Sequence, residues 1–388
     1  MEEQAVHRKG KRTKQETYFD YSLLFVVIFL LCFGFVMIYS ASSYEAQMEF
    51  GNPYYYAKKQ MIAIMLGLVA MIFVSLLDYH IWFHLSPYLY MISAVLVLLV
   101  LTPMGIEANG ARRWLNLGFT SFQPAEAVKL ASVLFFSTLI CKIGKTIRKK
   151  TATIFLIGLS LPMVLAIKQF TDNLSSAIIV LGIVLVMIFV ATPGYKVYVL
   201  IALVGVIGLT GFVYLLSSGI IPEDSSFRFG RIVAWLDPEA YPDTKGFQTL
   251  QALYAIGSGG ILGKGLGASM QKLGFLPEAQ NDMIFSIICE ELGLFGAVAV
   301  ILLFALMCWR FMVIANNAPD LYGSLIVVGV MAHIAIQVIL NIAVVTNSMP
   351  NTGISLPFIS YGGTSVSFLM VEMGLALSVS RRIRLDNV

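Results

Sequence analysis

KGLGASMQKLGFLPEAQNDMIFSIICEELGLFG, residues Lys264 to Gly296, begins as a glycine-rich basic loop and becomes an apolar run near Asp282. That run is long enough to enter a bilayer, so the reading of this stretch decides the class of fold. Asp282 stands where loop meets helix, and Glu290 and Glu291 follow about two turns further in. A charge inside a bilayer costs at least about 2.5 to 3.5 kcal/mol on insertion scales, so such residues are functional candidates by default. Two roles are open for Asp282: a cap on the positive end of its helix, or a working carboxylate.

The rest of the chain agrees with a membrane setting. Of 388 residues, 58% are hydrophobic and 12% charged, and the mean hydropathy is +0.82. A soluble domain carries roughly a quarter charged residues, so an all-α integral membrane protein is expected. Cys32, Cys141, Cys289 and Cys308 lie in or beside apolar runs without ligand spacing and read as small core residues. No cleavable leader is expected, because the run Tyr21 to Tyr39 is too long and lacks a small-residue cleavage site.

Further apolar runs begin near Met61, Pro87, Ala125, Thr151, Leu174, Tyr195, Met283, Leu321 and Gly362. At roughly 20 residues per span they predict a bundle of about ten helices. The chain reads as one polytopic domain over residues 1–388, with no internal repeat and no separate soluble domain. Lysine and arginine bias sets the orientation. The basic tail of residues 1–18 (Arg8, Lys9, Lys11, Arg12, Lys14), the cluster Lys142 to Lys150 and the tail of residues 381–388 mark one side as cytoplasmic. Both termini then lie inside, and residues 217–281 form a long extracytoplasmic loop between the seventh and eighth helices. A loop of that length is functional more often than idle. Within it, RFGRIVAWLDP (Arg228 to Pro238) predicts a short surface helix and GFQTLQALYAIGSGG (Gly246 to Gly260) a second, more apolar one.

Several constellations could carry chemistry. GSGGILGKGLG (Gly257 to Gly267) fails as a phosphate loop, since no strand precedes it and glycine follows Lys264. An anion nest beside Lys264 and Lys272, or a hinge, remain open. QPAEAVKLA (Gln123 to Ala131) sets Glu126 and Lys129 on one helix face, either as a structural ion pair or with Lys129 reaching to an anionic substrate. His333, Gln337 and Asn341 make a polar stripe suited to hydrogen bonds between helices. His80 and His84 have metal-ligand spacing but no carboxylate partner in sequence and are discounted. MPNTGISLPFISYGG (Met349 to Gly363) is too rich in Pro, Gly and Ser to be helical. Such backbone is tolerated at membrane depth only when buried in protein or lining a cavity. With the Arg112–Arg113–Trp114 loop, these features describe an outward cavity with cations, a carboxylate and an apolar flank. That cavity suits a substrate with a lipid tail, a pyrophosphate and a polar head; an ion-coupled transporter could use the same ingredients.

The motifs VMIYSASS (Val36 to Ser43), NGARRWL (Asn109 to Leu115), QPAEAVKLA, AWLDPEAYPDTKGFQTLQALYAIGSGG (Ala234 to Gly260), GKGLGASMQKLGFLPEAQNDMIFSIICEELG (Gly263 to Gly293) and SLPFISYGG (Ser355 to Gly363) occur in this order. The chain thereby resembles the SEDS family (shape, elongation, division, sporulation) over nearly its whole length, and its division-type branch, FtsW, more than the elongation-type RodA. The resemblance implies a ten-helix enzyme of the bacterial cytoplasmic membrane that polymerises lipid II into peptidoglycan glycan strands. It implies a class B penicillin-binding protein, a transpeptidase, as partner, alongside other divisome or elongasome membrane proteins and no nucleic acid. The family's essential acid falls on Asp282, its loop tryptophan on Trp114, and its fourth-helix acid and lysine on Glu126 and Lys129. Two departures stand out. Gln280 and Asn281 replace a His-Thr pair before the acid, and FTDNLSSA (Phe170 to Ala177) replaces a Pro-Asp-x-Gly-Thr run.

The function expected is therefore an inverting glycosyl transfer at the outer membrane face. Asp282 is the expected base, and Arg113, Lys129, Lys264 and Lys272 are the expected clamp on the departing pyrophosphate. No residue is assigned as a metal ligand; a divalent cation, Mg or Mn, is compatible with such a leaving group. A lipid II flippase and a non-catalytic scaffold for a division transpeptidase are the rival readings.

Overall fold

The computed structural model describes residues 18–383 except 109–110, 117, 119–120, 193, 195–197, 199–202, 204–206, 209, 212–226 and 245, and omits the side chains of 108, 111 and 227–231. The basic tail ahead of Tyr18, most of the span expected after Tyr195, residues 217–226 of the expected long loop, residues 384–388 of the expected C-terminal tail, and the Arg228 and Arg231 side chains lie outside the described residues.

The helices are α1 (Tyr21–Phe50), α2 (Tyr55–Leu76), α3 (Ile81–Leu99), α4 (Pro124–Ile143), α5 (Lys150–Thr171), α6 (Leu174–Ala191), α7 (Phe227–Leu236), α8 (Phe247–Gly259), α9 (Ile284–Asn316), α10 (Leu321–Val345) and α11 (Thr364–Ser380). Among the described residues, α1 to α6, α9 and α10 are the eight helices long and apolar enough to cross a membrane, and α11 is a shorter apolar one. Local signals set the ends. Asp20 accepts from Leu23 N at 2.8 Å, Asn173 from Ser176 N at 2.9 Å and Asp320 from Gly323 N at 2.8 Å, each meeting an amide that the helix leaves unpaired. Pro124 opens α4 at a position where no amide is needed.

Three helices differ from the sequence expectation. α1 runs on to Phe50, and α2 and α3 begin at Tyr55 and Ile81, upstream of Met61 and Pro87. Hydropathy registers only the apolar middle of a helix, while the polar ends continue the same backbone. Pro87 lies inside α3 and cannot bond the Phe83 carbonyl; the Ser86 hydroxyl reaches that carbonyl at 3.3 Å instead. The segment between α3 and α4 is also more ordered than a loop. β1 (Gly105–Ala108), β2 (Ala111–Asn116) and β3 (Ser121–Phe122) form a small antiparallel sheet in the order β1-β2-β3. Gly105 pairs with Leu115, and Leu115 in turn with Phe122.

Helix α10 is the most enclosed of the eight, with 67% of its apolar window buried. It packs against α4, α6, α9 and α11, so its polar stripe must find partners on its neighbours. Helix α7 ends at Leu236, and Trp235 Nε1 donates to the Asn347 carbonyl at 2.9 Å, which ties the loop helices to the end of α10.

The stretch from Lys264 to Gly296 is where the fold departs furthest from regular helix. α9 is broken at Gly293, whose φ of 66° and ψ of −165° interrupt the helical turn. Carbonyls freed at the break need donors. Lys264 N and Gly265 N supply them, donating to the Glu290 and Glu291 carbonyls at 2.9 Å each. Leu294 N and Phe295 N return bonds to the Gly260 and Ile261 carbonyls at 2.9 and 3.1 Å. The glycines permit this contact: a Cβ on Gly293 would stand 2.3 Å from Gly263 N. The loop amides of Lys264 and Gly265 are thus spent on a broken helix, not on an anion. We expect Gly293→Ala to cost at least about 1 to 2 kcal/mol from its left-handed backbone alone. A lowered thermal midpoint in detergent is the readout; an unchanged midpoint would show that the break does not need glycine.

Candidate functional site

Asp282 lies in the turn before α9, half-buried, two residues ahead of Ile284. The N-cap position is Met283, and no side chain caps this helix. Asp282 therefore stands one residue ahead of the N-cap position. The backbone around Asp282 is held from two sides. Asn341 Nδ2 of α10 donates to the Asp282 carbonyl at 2.7 Å and to the Ile354 carbonyl at 2.6 Å. Tyr361 N donates to the Gln280 carbonyl at 2.9 Å. The non-helical residues 349–363 thus wrap the turn that carries the acid. They also approach its carboxylate: a Cβ built on Gly353, at φ 68°, would lie 3.8 Å from Asp282 Oδ2.

From α4, Glu126 and Lys129 form a buried pair at 2.8 Å, with the lysine side chain only 2% exposed. The Lys129 ammonium also donates to Gln337 Oε1 at 3.1 Å. Gln337 Nε2 donates to the Ser355 carbonyl at 3.0 Å. His333 Nε2 lies 2.9 Å from Gln337 Oε1, and His333 Nδ1 lies 2.8 Å from Glu372 Oε2 of α11. The polar stripe of α10 therefore links the charged pair on α4 to the backbone of residues 354–355, one residue from the carbonyl that Asn341 shares with Asp282. Sequence reasoning missed Glu372; a lone acid in an apolar helix was the available signal.

Arg113, on β2, donates from Nη2 to the Asp172 carbonyl at 3.1 Å, at the end of α5. Trp114 is its neighbour on the strand and pairs with Ile106. Thr364 Oγ1 donates to the Ser121 carbonyl at 3.4 Å, and Ser175 Oγ to the Thr352 carbonyl at 2.7 Å. The sheet, the α5–α6 turn and residues 349–363 thus meet at the same end of the bundle as Asp282.

Lys264 and Lys272, expected as part of the clamp, each meet a buried glutamate. Lys264 Nζ lies 2.7 Å from Glu290 Oε1, and Lys272 Nζ lies 2.8 Å from Glu291 Oε1. Both glutamates are fully buried. Ser40 of α1 donates to Glu291 at 2.7 Å and accepts from Lys272 at 2.9 Å. Met270 N adds a bond to Glu290 at 3.1 Å. A buried carboxylate needs a counter-charge and hydrogen bonds, so the two lysines act as counter-ions that lock the loop to the broken helix.

His80 also has partners that spacing could not show, Asp78 at 2.7 Å and Asp320 at 3.0 Å. Among the described residues, no group of three or more His, Cys, Asp or Glu side chains is placed to hold a metal ion. The described residues therefore offer no cage of such side chains for a divalent cation.

Comparison with known proteins places this arrangement. Residues 21–385 match the FtsW/RodA/SpoVE family, described as cell cycle protein. The chain is 40% identical to stage V sporulation protein E of Bacillus subtilis, across 96% of this chain and all of that protein. It is 34% identical to the probable peptidoglycan glycosyltransferase FtsW of Geobacter sp. strain M18, across 94% of this chain and 98% of that one. Among solved structures it is similar to a chain from a study of polymerization and crosslinking by a peptidoglycan synthase complex, with a TM-score of 0.75, 29% identity and coverage of 94% and 98%. It is also similar to the rod shape determining protein RodA of Thermus thermophilus, with a TM-score of 0.67, 28% identity and coverage of 94% and 97%. Identity to the Bacillus sporulation protein exceeds that to the Geobacter FtsW protein, so the assignment is made at the level that all of them share. A multi-pass membrane bundle with this order of motifs, matched over nearly its full length, belongs to the FtsW/RodA/SpoVE family of cell cycle proteins, the SEDS family.

Proposed function

We propose that the chain is a peptidoglycan glycosyltransferase that polymerises lipid II at the outer face of the bacterial cytoplasmic membrane. The observation that carries this reading is the setting of Asp282. Its carboxylate is half-buried beside Gly353, on a turn fixed by Asn341 and Tyr361, in non-helical backbone of the kind that lines cavities. An acceptor sugar hydroxyl placed there gives its proton to Asp282 as its oxygen attacks the anomeric carbon of the donor. The bond to undecaprenyl pyrophosphate breaks on the opposite face, so an α-linked donor yields a β-linked product. Arg113, on the sheet at the same end of the bundle, is the proposed cation for the departing pyrophosphate, and Trp114, the next residue of that strand, is the proposed apolar contact on the other face of the sheet. Lys129 supports the site as half of a buried pair and as a donor to Gln337.

A class B penicillin-binding protein is the proposed partner, supported by the likeness to a synthase complex concerned with both polymerization and crosslinking. Division, elongation and sporulation machineries are the settings in which such a pair would work. The test is purified protein, with that transpeptidase, offered labelled lipid II. Glycan strands are expected. Transfer of lipid II between leaflets without polymer would instead favour the flippase, and no reaction with a well-folded complex the scaffold.

The orientation is part of the proposal. With residues 142–150 facing the cytoplasm, α7 and α8 lie outside. A cysteine at the exposed Glu239 should react with an impermeant maleimide in intact cells, against a background of four native cysteines that all lie within helices. Labelling only after lysis would reverse the substrate side.

A further inference from the structure

The chain of hydrogen bonds through α10 fixes where hydrogens stand. The Lys129 ammonium can only donate, and it lies 3.1 Å from Gln337 Oε1. The Ser355 carbonyl can only accept, and it lies 3.0 Å from Gln337 Nε2. Two independent neighbours thus give the same orientation of the Gln337 amide. Its Oε1 has no hydrogen to give, so His333 Nε2, 2.9 Å away, must carry one. On the other side, Nδ1 lies 2.8 Å from Glu372 Oε2. A bare ring nitrogen facing a bare carboxylate would set two lone pairs against each other, so a second proton stands between them. His333 and Glu372 are 1% and 0% exposed, which leaves water no ready access to that proton.

We propose that this buried proton is a working part of the site, and that His333 and Glu372 are positioning residues for the transfer. The inference rests on the glycosyltransferase reading above. The proton keeps His333 donating to Gln337, and Gln337 then holds both the Lys129 ammonium and the Ser355 backbone. The adjoining Ile354 carbonyl is bonded to Asn341, which also holds Asp282. Few other charges bear on the pair. Glu126 and Lys129 face it from α4, α6 carries no titratable side chain, and α2, packed against α11, carries its Lys58 and Lys59 exposed at its start. On α9, Glu290 and Glu291 are paired with Lys264 and Lys272. With the proton in place, Lys129 balances Glu126, and the protonated His333–Glu372 pair is neutral by itself. Without it, two buried carboxylates share one ammonium, and Lys129 is pulled between them.

Two substitutions separate this role from simple packing. In Glu372→Gln the new amide donates to Nδ1, and the neutral ring keeps its hydrogen on Nε2. This variant should keep most of the polymerising activity. Glu372→Ala leaves Nδ1 without that partner, and a site misplaced by about 1 Å commonly loses about 100-fold in rate. Glu372→Ala at the wild-type rate, or Glu372→Gln as slow as Glu372→Ala, would overturn the proposal. A readout independent of activity and of variant folding is the 15N spectrum of imidazole-labelled wild type, in which four histidines must be resolved. The His333 Nε2 should carry a hydrogen, and an unprotonated Nε2 would refute the arrangement. A wild type that polymerises nothing yet shows this spectrum would sink the glycosyltransferase reading and, with it, the role given to the pair, while leaving the proton's location standing.

Discussion

Asp282→Asn should fold, bind its transpeptidase and polymerise about 10²- to 10⁴-fold more slowly than wild type, the usual loss when a positioned base is removed. Folding should survive because the turn is held through its backbone. Asn341 bonds the Asp282 carbonyl, and Met283, not Asp282, occupies the N-cap of α9. The amide keeps the size of the carboxylate but cannot take the hydroxyl proton. Initial rates of glycan formation from labelled lipid II, with thermal unfolding in the same detergent, check both halves. Wild-type rates from a well-folded variant would remove Asp282 from the chemistry without touching membership of the family. A large drop in thermal midpoint would instead mean that the carboxylate holds the turn together.

Lys129→Ala should lose stability as well as activity. The variant leaves Glu126 buried without its ammonium and takes a donor from Gln337. Breaking a fully buried pair by deleting one partner costs about 3 to 5 kcal/mol. The double change Glu126→Gln with Lys129→Met should recover much of that stability, since no unpaired charge remains. Polymerisation should stay low in both if the ammonium also serves the pyrophosphate. A single Lys129→Ala variant as stable as wild type, yet inactive, would make the lysine a substrate contact and end the structural reading. Full activity after the single change would remove it from the site.

Glu126 and Lys129 are legible as a pair in the sequence, because three residues along a helix put both on one face. Their extension through Gln337 to Ser355 is not. It joins α4, α10 and residues 349–363, and Lys129 and Gln337 are 208 positions apart. Likewise the stripe of His333, Gln337 and Asn341 announces itself by its period, while the identity of its partners depends on the packing. Arg113 and Trp114 read as part of a loop; the structure sets them on a short sheet whose pairings are no stronger in sequence than many that never form.

By itself the sequence determined that this is a membrane bundle, where its apolar spans lie, and that an acid stands at the mouth of one of them. The physical reason is the bilayer: a lipid-exposed backbone must bond within its own helix, so length and hydropathy are nearly sufficient. Tertiary structure decided what each charge is for. Lys264 and Lys272 looked like cations free for a phosphate, and only the break at Gly293 brings them onto Glu290 and Glu291. Asp282 had a cap's position, and only the turn before α9 sets it outside the helix and beside Gly353. A charge in an apolar chain is costly wherever it sits. Which neighbour offsets that cost depends on distances of a few ångströms between elements far apart in sequence.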